Sequence, residues 1–124
     1  MLPNSLNIVK ENCKILGESY EECRGLADTV LMEAQAYGDA NVVCIFDQNM
    51  DRYSEGQVYG TDVTADLRSR GFDGLIFIRS ANDTYADETA HRFAGANGTL
   101  SKSWRTRVTA RRIQDRWQKW NLRS

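Results

Sequence analysis

Two continuous apolar segments limit the folds that this chain can adopt. "NVVCIF" ends at Phe46 and "GLIFI" ends at Ile78, and neither segment alternates apolar with polar residues. Such runs are typical of strands buried on both faces, as in parallel sheets covered by helices. A right-handed crossover containing a helix is the usual connection between parallel strands. The sequence therefore predicts an α/β domain built around a parallel sheet.

The segments around these two strands complete an alternation of strands and helices. Apolar residues recur at helical spacing from about Tyr20 to Ala36, and Gly38 follows as a stop. Thr61 is expected to cap the helix that follows the polar Gly-containing loop "DRYSEGQVYG". The other predicted elements are strands in "CKILGES" and "GTLSK" and helices in "TDVTADLRSR", "DTYADETAHRFAGA" and "SWRTRVTARRIQDRWQKWNL".

Composition narrows the class of protein. The 124 residues are 41% hydrophobic and 27% charged, which is typical of one globular domain. Three cysteines without C-x-x-C spacing and a single histidine disfavour a zinc site and favour reduced thiols in the cytoplasm. The longest apolar run is too short to span a membrane, and the amino terminus lacks the pattern of a signal peptide.

Charge is distributed unevenly along the chain. Residues 102–124 hold eight Lys and Arg against one acid, whereas residues 1–101 hold eight basic and sixteen acidic side chains. A basic carboxyl-terminal helix allows nucleic-acid binding as one hypothesis. We rank it low, because the rest of the chain is acidic and basic helix faces are usually solvated.

Polar side chains follow the three predicted parallel strands. Asp47, Ser80 and Lys102 each stand at a strand end, and the carboxyl ends of parallel strands meet at one edge of a sheet, where ligands bind. A carboxylate nucleophile with a hydroxyl and an ammonium group is suited to phosphoryl transfer onto the carboxylate. Each residue alone is weak evidence, but the ordered set of three is more specific.

The segments "CIFDQNMD", "GTDVTADLRSRGFDGLIFIRSAND" and "AGANGTLSK" resemble the receiver domain of response regulators in two-component phosphorelays. The resemblance implies a flavodoxin-like, doubly wound parallel sheet. It implies that Asp47 accepts a phosphoryl group from a histidine kinase or a phosphotransfer protein, and that Ser80 and Lys102 assist. It also implies that the carbonyl of Asn49 joins Asp47 in binding Mg²⁺, and that Ala81 leaves room for the phosphoryl group.

The chain departs from the receiver pattern at several positions. The acidic pair that ends the first strand of a receiver has no counterpart, so that strand is predicted to be missing and the Mg²⁺ site to be weak or incomplete. Residues 1–14 read as a remnant of the first helix, and Glu18 is a weak substitute as a metal ligand. Ser103 replaces the proline that usually follows the lysine, and Thr99 replaces the usual switch aromatic.

These departures leave two interpretations open for a single receiver-like domain over residues 1–124. The domain either accepts a phosphoryl group at Asp47, or it is a pseudo-receiver that binds partner proteins without phosphorylation. Its enzymatic activity would be at most self-phosphorylation from a phosphohistidine donor. His91 is predicted to be exposed and Cys44 to be a core residue. An apolar stripe on the last helix is predicted to be a docking surface: Trp104, Val108, Ile113, Trp117 and Trp120.

Overall fold

The computed structural model describes residues 23–53, 56–81 and 84–123. These residues fall in two compact units, 23–102 and 103–123, which are described separately. In chain order the elements are α1 (Leu26–Tyr37), a 3-10 turn (Asp39–Asn41), β1 (Val43–Asp47), β2 (Asn49–Tyr53), β3 (Gly56–Tyr59), α2 (Gly60–Ser69), β4 (Leu75–Ser80), α3 (Tyr85–Ala94), β5 (Gly98–Ser101) and α4 (Thr106–Arg123).

The central sheet is parallel, with the strand order β1-β4-β5. The ladder between β1 and β4 runs from Val43 opposite Leu75 to Asp47 opposite Arg79. The ladder between β4 and β5 ends with Ser80 opposite Ser101. The predicted adjacency of the three strands and their parallel direction are confirmed. The additional strand predicted in "CKILGES" lies outside the described residues.

One face of the sheet forms the core with α1 and α2. Cys44, Phe46 and Ile76 occupy this face because alternate residues of a strand point to the same side. The apolar stripe predicted on α1 is buried against them at helical spacing, as periodicity requires. The fully or nearly fully buried members of this cluster are Leu26, Ala27, Val30, Ala34, Cys44, Phe46, Val63, Leu67, Phe72 and Ile76.

The opposite face is buried unevenly. Leu75 and Phe77 in β4 are at most 2% exposed, so this strand is covered on both faces as predicted. In β1, however, Ile45 is 45% exposed, and the expected burial of both faces is wrong for this strand. Among the described residues β1 pairs with β4 alone, so its other edge and part of this face have no described neighbour.

The segment between β1 and α2 is a β-hairpin rather than the predicted loop. β2 and β3 pair antiparallel, with Asn49 opposite Tyr59 and Met50 opposite Val58. The register shifts between Met50 and Tyr53. Gly and charged residues in "DRYSEGQVYG" suggested a loop, but Tyr and Val in the same segment favour strands. Two strands of this length stay marginal by themselves, so the hairpin depends on its neighbours.

Of the two helix ends predicted from the sequence, the end of α1 at Gly38 is confirmed and the cap of α2 at Thr61 is wrong. Gly38 has φ 88°, and its N–H donates to the carbonyl of Ala34 (2.7 Å), so α1 ends as predicted. Thr84 caps α3 by accepting a hydrogen bond from the N–H of Asp87 (3.3 Å). Thr61 is not the cap of α2, because it lies inside the first turn and Tyr59 precedes the helix.

Helix α3 buries a polar side chain, His91, and exposes an apolar one, Phe93. His91 is 3% exposed, so the prediction that it lies in solvent is wrong. The His91 Nδ1 and the Thr99 hydroxyl of β5 are hydrogen-bonded at 2.6 Å, which gives the buried ring a polar partner. Phe93 is 95% exposed, and Ala86 and Ala90 are exposed as well. Burial lowers the pKa of His91, although Asp87 and Glu88 oppose the shift.

Helix α4 forms most of the second unit. Ile113 is buried, Trp117 is partly buried and Val108 is 49% exposed. That the apolar stripe is a docking surface stays a prediction. The Arg112 guanidinium lies over the Trp104 ring, 5.1 Å from its centroid. Across the described residues, no helix has the length and apolar character needed to cross a bilayer.

The two cysteines among the described residues, Cys23 and Cys44, are buried. Cys44 belongs to the core cluster, as predicted. Burial raises the pKa of its thiol to about 12, so it stays protonated and behaves as a small apolar side chain.

Candidate functional site

The carboxyl ends of β1, β4 and β5 lie at one edge of the sheet. β1 ends at Asp47 and β4 at Ser80, and Lys102 follows the last residue of β5. Two backbone hydrogen bonds join the chain across this edge. The Lys102 N–H donates to the Ser80 carbonyl, and the Gln48 N–H donates to the Arg79 carbonyl, both at 3.0 Å. The backbone positions of the three predicted site residues are therefore set by neighbouring strands.

The three side chains differ in exposure. Asp47 is about half exposed, with 46% of its side chain accessible, and Lys102 is exposed. Ser80 is buried at 5% exposure, and Ala81 after it is exposed. Direct contact of the Asp47 carboxylate with the Ser80 hydroxyl and the Lys102 amine stays a prediction.

Arg79 is the charged neighbour of Asp47. It stands opposite Asp47 in the last register position of the ladder, so both side chains lie on the same side of the sheet. Its Nη1 is 3.7 Å from the Asp47 Oδ1, and the two side chains are 45% and 46% exposed. Sequence reasoning missed this residue. Its signal was a single charge inside an otherwise apolar strand, but only the register shows which residue it faces.

The backbone just after Asp47 is fastened to the amino end of α2. The Gly60 N–H donates to the Gln48 carbonyl (2.9 Å), and the Thr61 N–H donates to the Gln48 Oε1 (3.1 Å). The Gln48 Nε2 donates to the Thr61 hydroxyl (3.2 Å). The Gln48 side-chain amide therefore bonds the first turn of α2, which Thr61 was expected to cap. A Cβ on Gly60 would lie 2.7 Å from the Asp47 carbonyl oxygen, so only glycine allows this approach.

The described residues do not form a complete magnesium site. Mg²⁺ requires oxygen ligands in near-octahedral geometry, and Asp47 with the backbone carbonyl of Asn49 would supply two. Within residues 23–53, 56–81 and 84–123, no group of three or more His, Cys, Asp or Glu residues could hold a metal ion. Glu18, the weak substitute ligand, lies outside the described residues.

Comparison with known proteins identifies the fold. The signal receiver domain of the response regulator NarL from Mycobacterium tuberculosis superposes with a TM-score of 0.55, at 22% identity over 74% of this chain and 68% of that one. The receiver domain of the Francisella response regulator 1452 gives a TM-score of 0.53, at 15% identity over 77% of this chain and 90% of that one. The fold is that of a receiver domain. Neither a protein-family model nor a curated protein sequence matches the chain.

The receiver fold confirms the resemblance inferred from the sequence. Parallel strands flanked by helices match the expected flavodoxin-like architecture. Three strands of the parallel sheet are described, which is consistent with a receiver that lacks one strand. Since both similar structures are less than 25% identical to this chain, the likeness establishes the fold, and the chemistry of the site has to be argued from its residues.

Proposed function

We propose that this chain is a receiver module that accepts a phosphoryl group on Asp47 from a phosphohistidine donor. One observation carries the proposal: in a receiver fold, three parallel strands end at one edge with a carboxylate, a hydroxyl and an amine, Asp47, Ser80 and Lys102. The donor would be a histidine kinase or a phosphotransfer protein. The buried thiol of Cys44 fits an intracellular location, because reduced thiols persist there.

The chemical step is in-line displacement at phosphorus. An oxygen of the Asp47 carboxylate attacks, a P–O bond forms, and the P–N bond to the donor imidazole breaks with its electron pair left on the nitrogen, which takes a proton from solvent. The Lys102 ammonium would pair with the phosphoryl oxygens, and the Ser80 hydroxyl would donate a hydrogen bond to one of them. The half-exposed position of Asp47 leaves the carboxylate accessible to a macromolecular donor.

Phosphorylation would change the surface that a partner protein recognises. A phosphorylated aspartate gains negative charge and strong acceptor oxygens, which rearrange nearby donors and loops. Asp47 is continuous with the β2–β3 hairpin, and its neighbour Gln48 is bonded to the first turn of α2. These two elements are therefore the first that a phosphoryl group could displace. A partner protein that recognises either of them would receive the signal.

Labelling with a small phosphodonor tests the proposal. The chain and its Asp47→Asn and Asp62→Asn variants are incubated with acetyl phosphate and examined by intact-mass spectrometry. We expect a label on the wild type and on Asp62→Asn, an exposed acid in the first turn of α2, and none on Asp47→Asn. Lys102→Ala should slow labelling by about 10²-fold, as the loss of one electrostatic donor does in enzymes. Absence of label on the wild type would reject phosphoacceptor function and favour the pseudo-receiver.

A further inference from the structure

Arg79 is out of place in the strand that carries it. The other five residues of β4 are buried, and Arg79 is the exposed exception. An arginine in a strand of this kind needs a polar environment, and Arg79 is exposed next to the carboxyl end of the strand. Its long side chain is thereby placed at the same edge of the sheet as the three proposed site residues.

The register directs this side chain toward one carboxylate. Arg79 is the direct cross-strand partner of Asp47, and directly opposite residues of a sheet are close enough for their side chains to interact. The Nη1–Oδ1 distance of 3.7 Å agrees with this placement. Among the described residues, the guanidinium has no ion pair with any other carboxylate.

The contact between Arg79 and Asp47 is loose. At 3.7 Å it is longer than a direct hydrogen bond, and both side chains are nearly half exposed. Exposed ion pairs contribute little stability. Arg68, by contrast, donates four hydrogen bonds to fixed acceptors, which use most of its N–H groups. The donors of Arg79 are therefore available to any acceptor that appears on Asp47.

We propose that Arg79 is a further catalytic residue of the phosphoryl transfer, binding the oxygens of the phosphoryl group as it moves onto Asp47 and holding them afterwards. This inference rests on the proposed function of Asp47. A guanidinium stays charged at any working pH, and its planar fork matches two phosphate oxygens at once. Charge developing on the transferring group is thus met by a cation that the fold itself supplies. No covalent bond to Arg79 forms or breaks.

The experiment compares Arg79→Gln and Arg79→Lys with the wild type. Arg70→Gln is the matched control, because Arg70 is an exposed arginine whose ion pairs are with Asp28 and Asp66. Each protein is labelled with acetyl phosphate in EDTA and again with Mg²⁺, after thermal melts have shown that it is folded. Side-chain ¹⁵N NMR of the arginine Nε–H groups is recorded on the wild type before and after labelling.

We expect Arg79→Gln to label about tenfold more slowly in EDTA, because one charge-assisted contact is lost. The labelling rate of Arg79→Lys should lie between those of Arg79→Gln and the wild type, and the rate of Arg70→Gln should equal that of the wild type. Added Mg²⁺ should reduce the difference in labelling rate between Arg79→Gln and the wild type. The Arg79 resonance should shift on labelling while that of Arg70 does not.

Two results would overturn the inference while leaving the proposed function intact. Arg79→Gln that labels at the wild-type rate in EDTA, with an unshifted Arg79 resonance, would show that the guanidinium does not meet the phosphoryl group. Faster labelling of Arg79→Gln would show that Arg79 instead holds Asp47 back from the donor. A wild-type chain that never labels would reject both proposals together.

Discussion

Arg68 connects two loops at the end of the sheet opposite Asp47. Its Nε donates to the Gly95 carbonyl (2.9 Å), and its Nη1 donates to the carbonyls of Phe72 and Gly74 (both 2.8 Å). Its Nη2 donates to the Asn97 Oδ1 (2.9 Å), and the guanidinium also lies 5.7 Å from the centroid of the Phe72 ring. The segments that lead into β4 and β5 are thus fastened to the end of α2. We expect Arg68→Met to destabilise the fold strongly.

The magnitude follows from the four hydrogen bonds. A typical bond contributes about 1 kcal/mol net, and bonds from a charged donor contribute about 1.5–3 kcal/mol. Burial lowers the pKa of Arg68, so part of this gain offsets desolvation. In Arg68→Met, water would reach some of the freed carbonyls. A loss of about 3 kcal/mol is therefore expected, a large fraction of the roughly 5–15 kcal/mol that stabilises a domain.

Urea denaturation followed by circular dichroism measures this loss. The midpoint of Arg68→Met should fall well below that of the wild type with an unchanged m-value. Arg70→Met, which removes exposed ion pairs two residues away, should cost less than about 1 kcal/mol. Arg68→Lys should recover little, because an ammonium cannot reproduce the planar fork. If Arg68→Met and Arg70→Met shift the midpoint equally, the hydrogen bonds of Arg68 do not carry the stability assigned to them.

Two further outcomes can be checked on the same protein. Gly60→Ala should lower the free energy of unfolding by about 1–3 kcal/mol, because its Cβ would lie 2.7 Å from the Asp47 carbonyl oxygen. Urea denaturation measures this loss, and an unchanged midpoint would contradict the close packing. The free energy of unfolding should fall as the pH drops below the ordinary histidine pKa of 6.5, since burial lowers the pKa of folded His91 and the unfolded chain binds the proton more readily. His91→Gln should flatten that dependence, and an equally steep profile in this variant would assign it to other groups.

The elements of the sheet could be predicted because their signals are local. Continuous apolar runs located β1 and β4, and helical periodicity located α1 with its end at Gly38. The β2–β3 hairpin was missed because its Gly and charged residues also suit a loop, and pairing across a turn is not a local property. The exposure of His91 was predicted wrongly for a similar reason. Thr99, the partner that makes burial of this ring tolerable, comes from a different element.

Some residues of the candidate site could be predicted from local sequence signals, and others could not. Asp47, Ser80 and Lys102 could be selected from the sequence because each follows a recognisable strand. Arg79 could not, since its pairing with Asp47 depends on a register that the sequence does not encode locally. The cap of α2 by Gln48 likewise joins residues that are thirteen positions apart.

Charged side chains are held by short hydrogen bonds at one end of the parallel sheet and by a long ion pair at the other end. At the amino ends of β4 and β5, Arg68 and Asn97 make several short hydrogen bonds, and the Asn97 Oδ1 also accepts from the Ile76 N–H (2.9 Å). At the carboxyl ends, Asp47 and Arg79 share one long, exposed ion pair. A charged group held by several short bonds cannot bind a new ligand without losing them. Because the charged group at the first end stabilises the fold, the charges at the second end can change partners at little cost to stability. The proposed phosphorylation of Asp47 would require such a change.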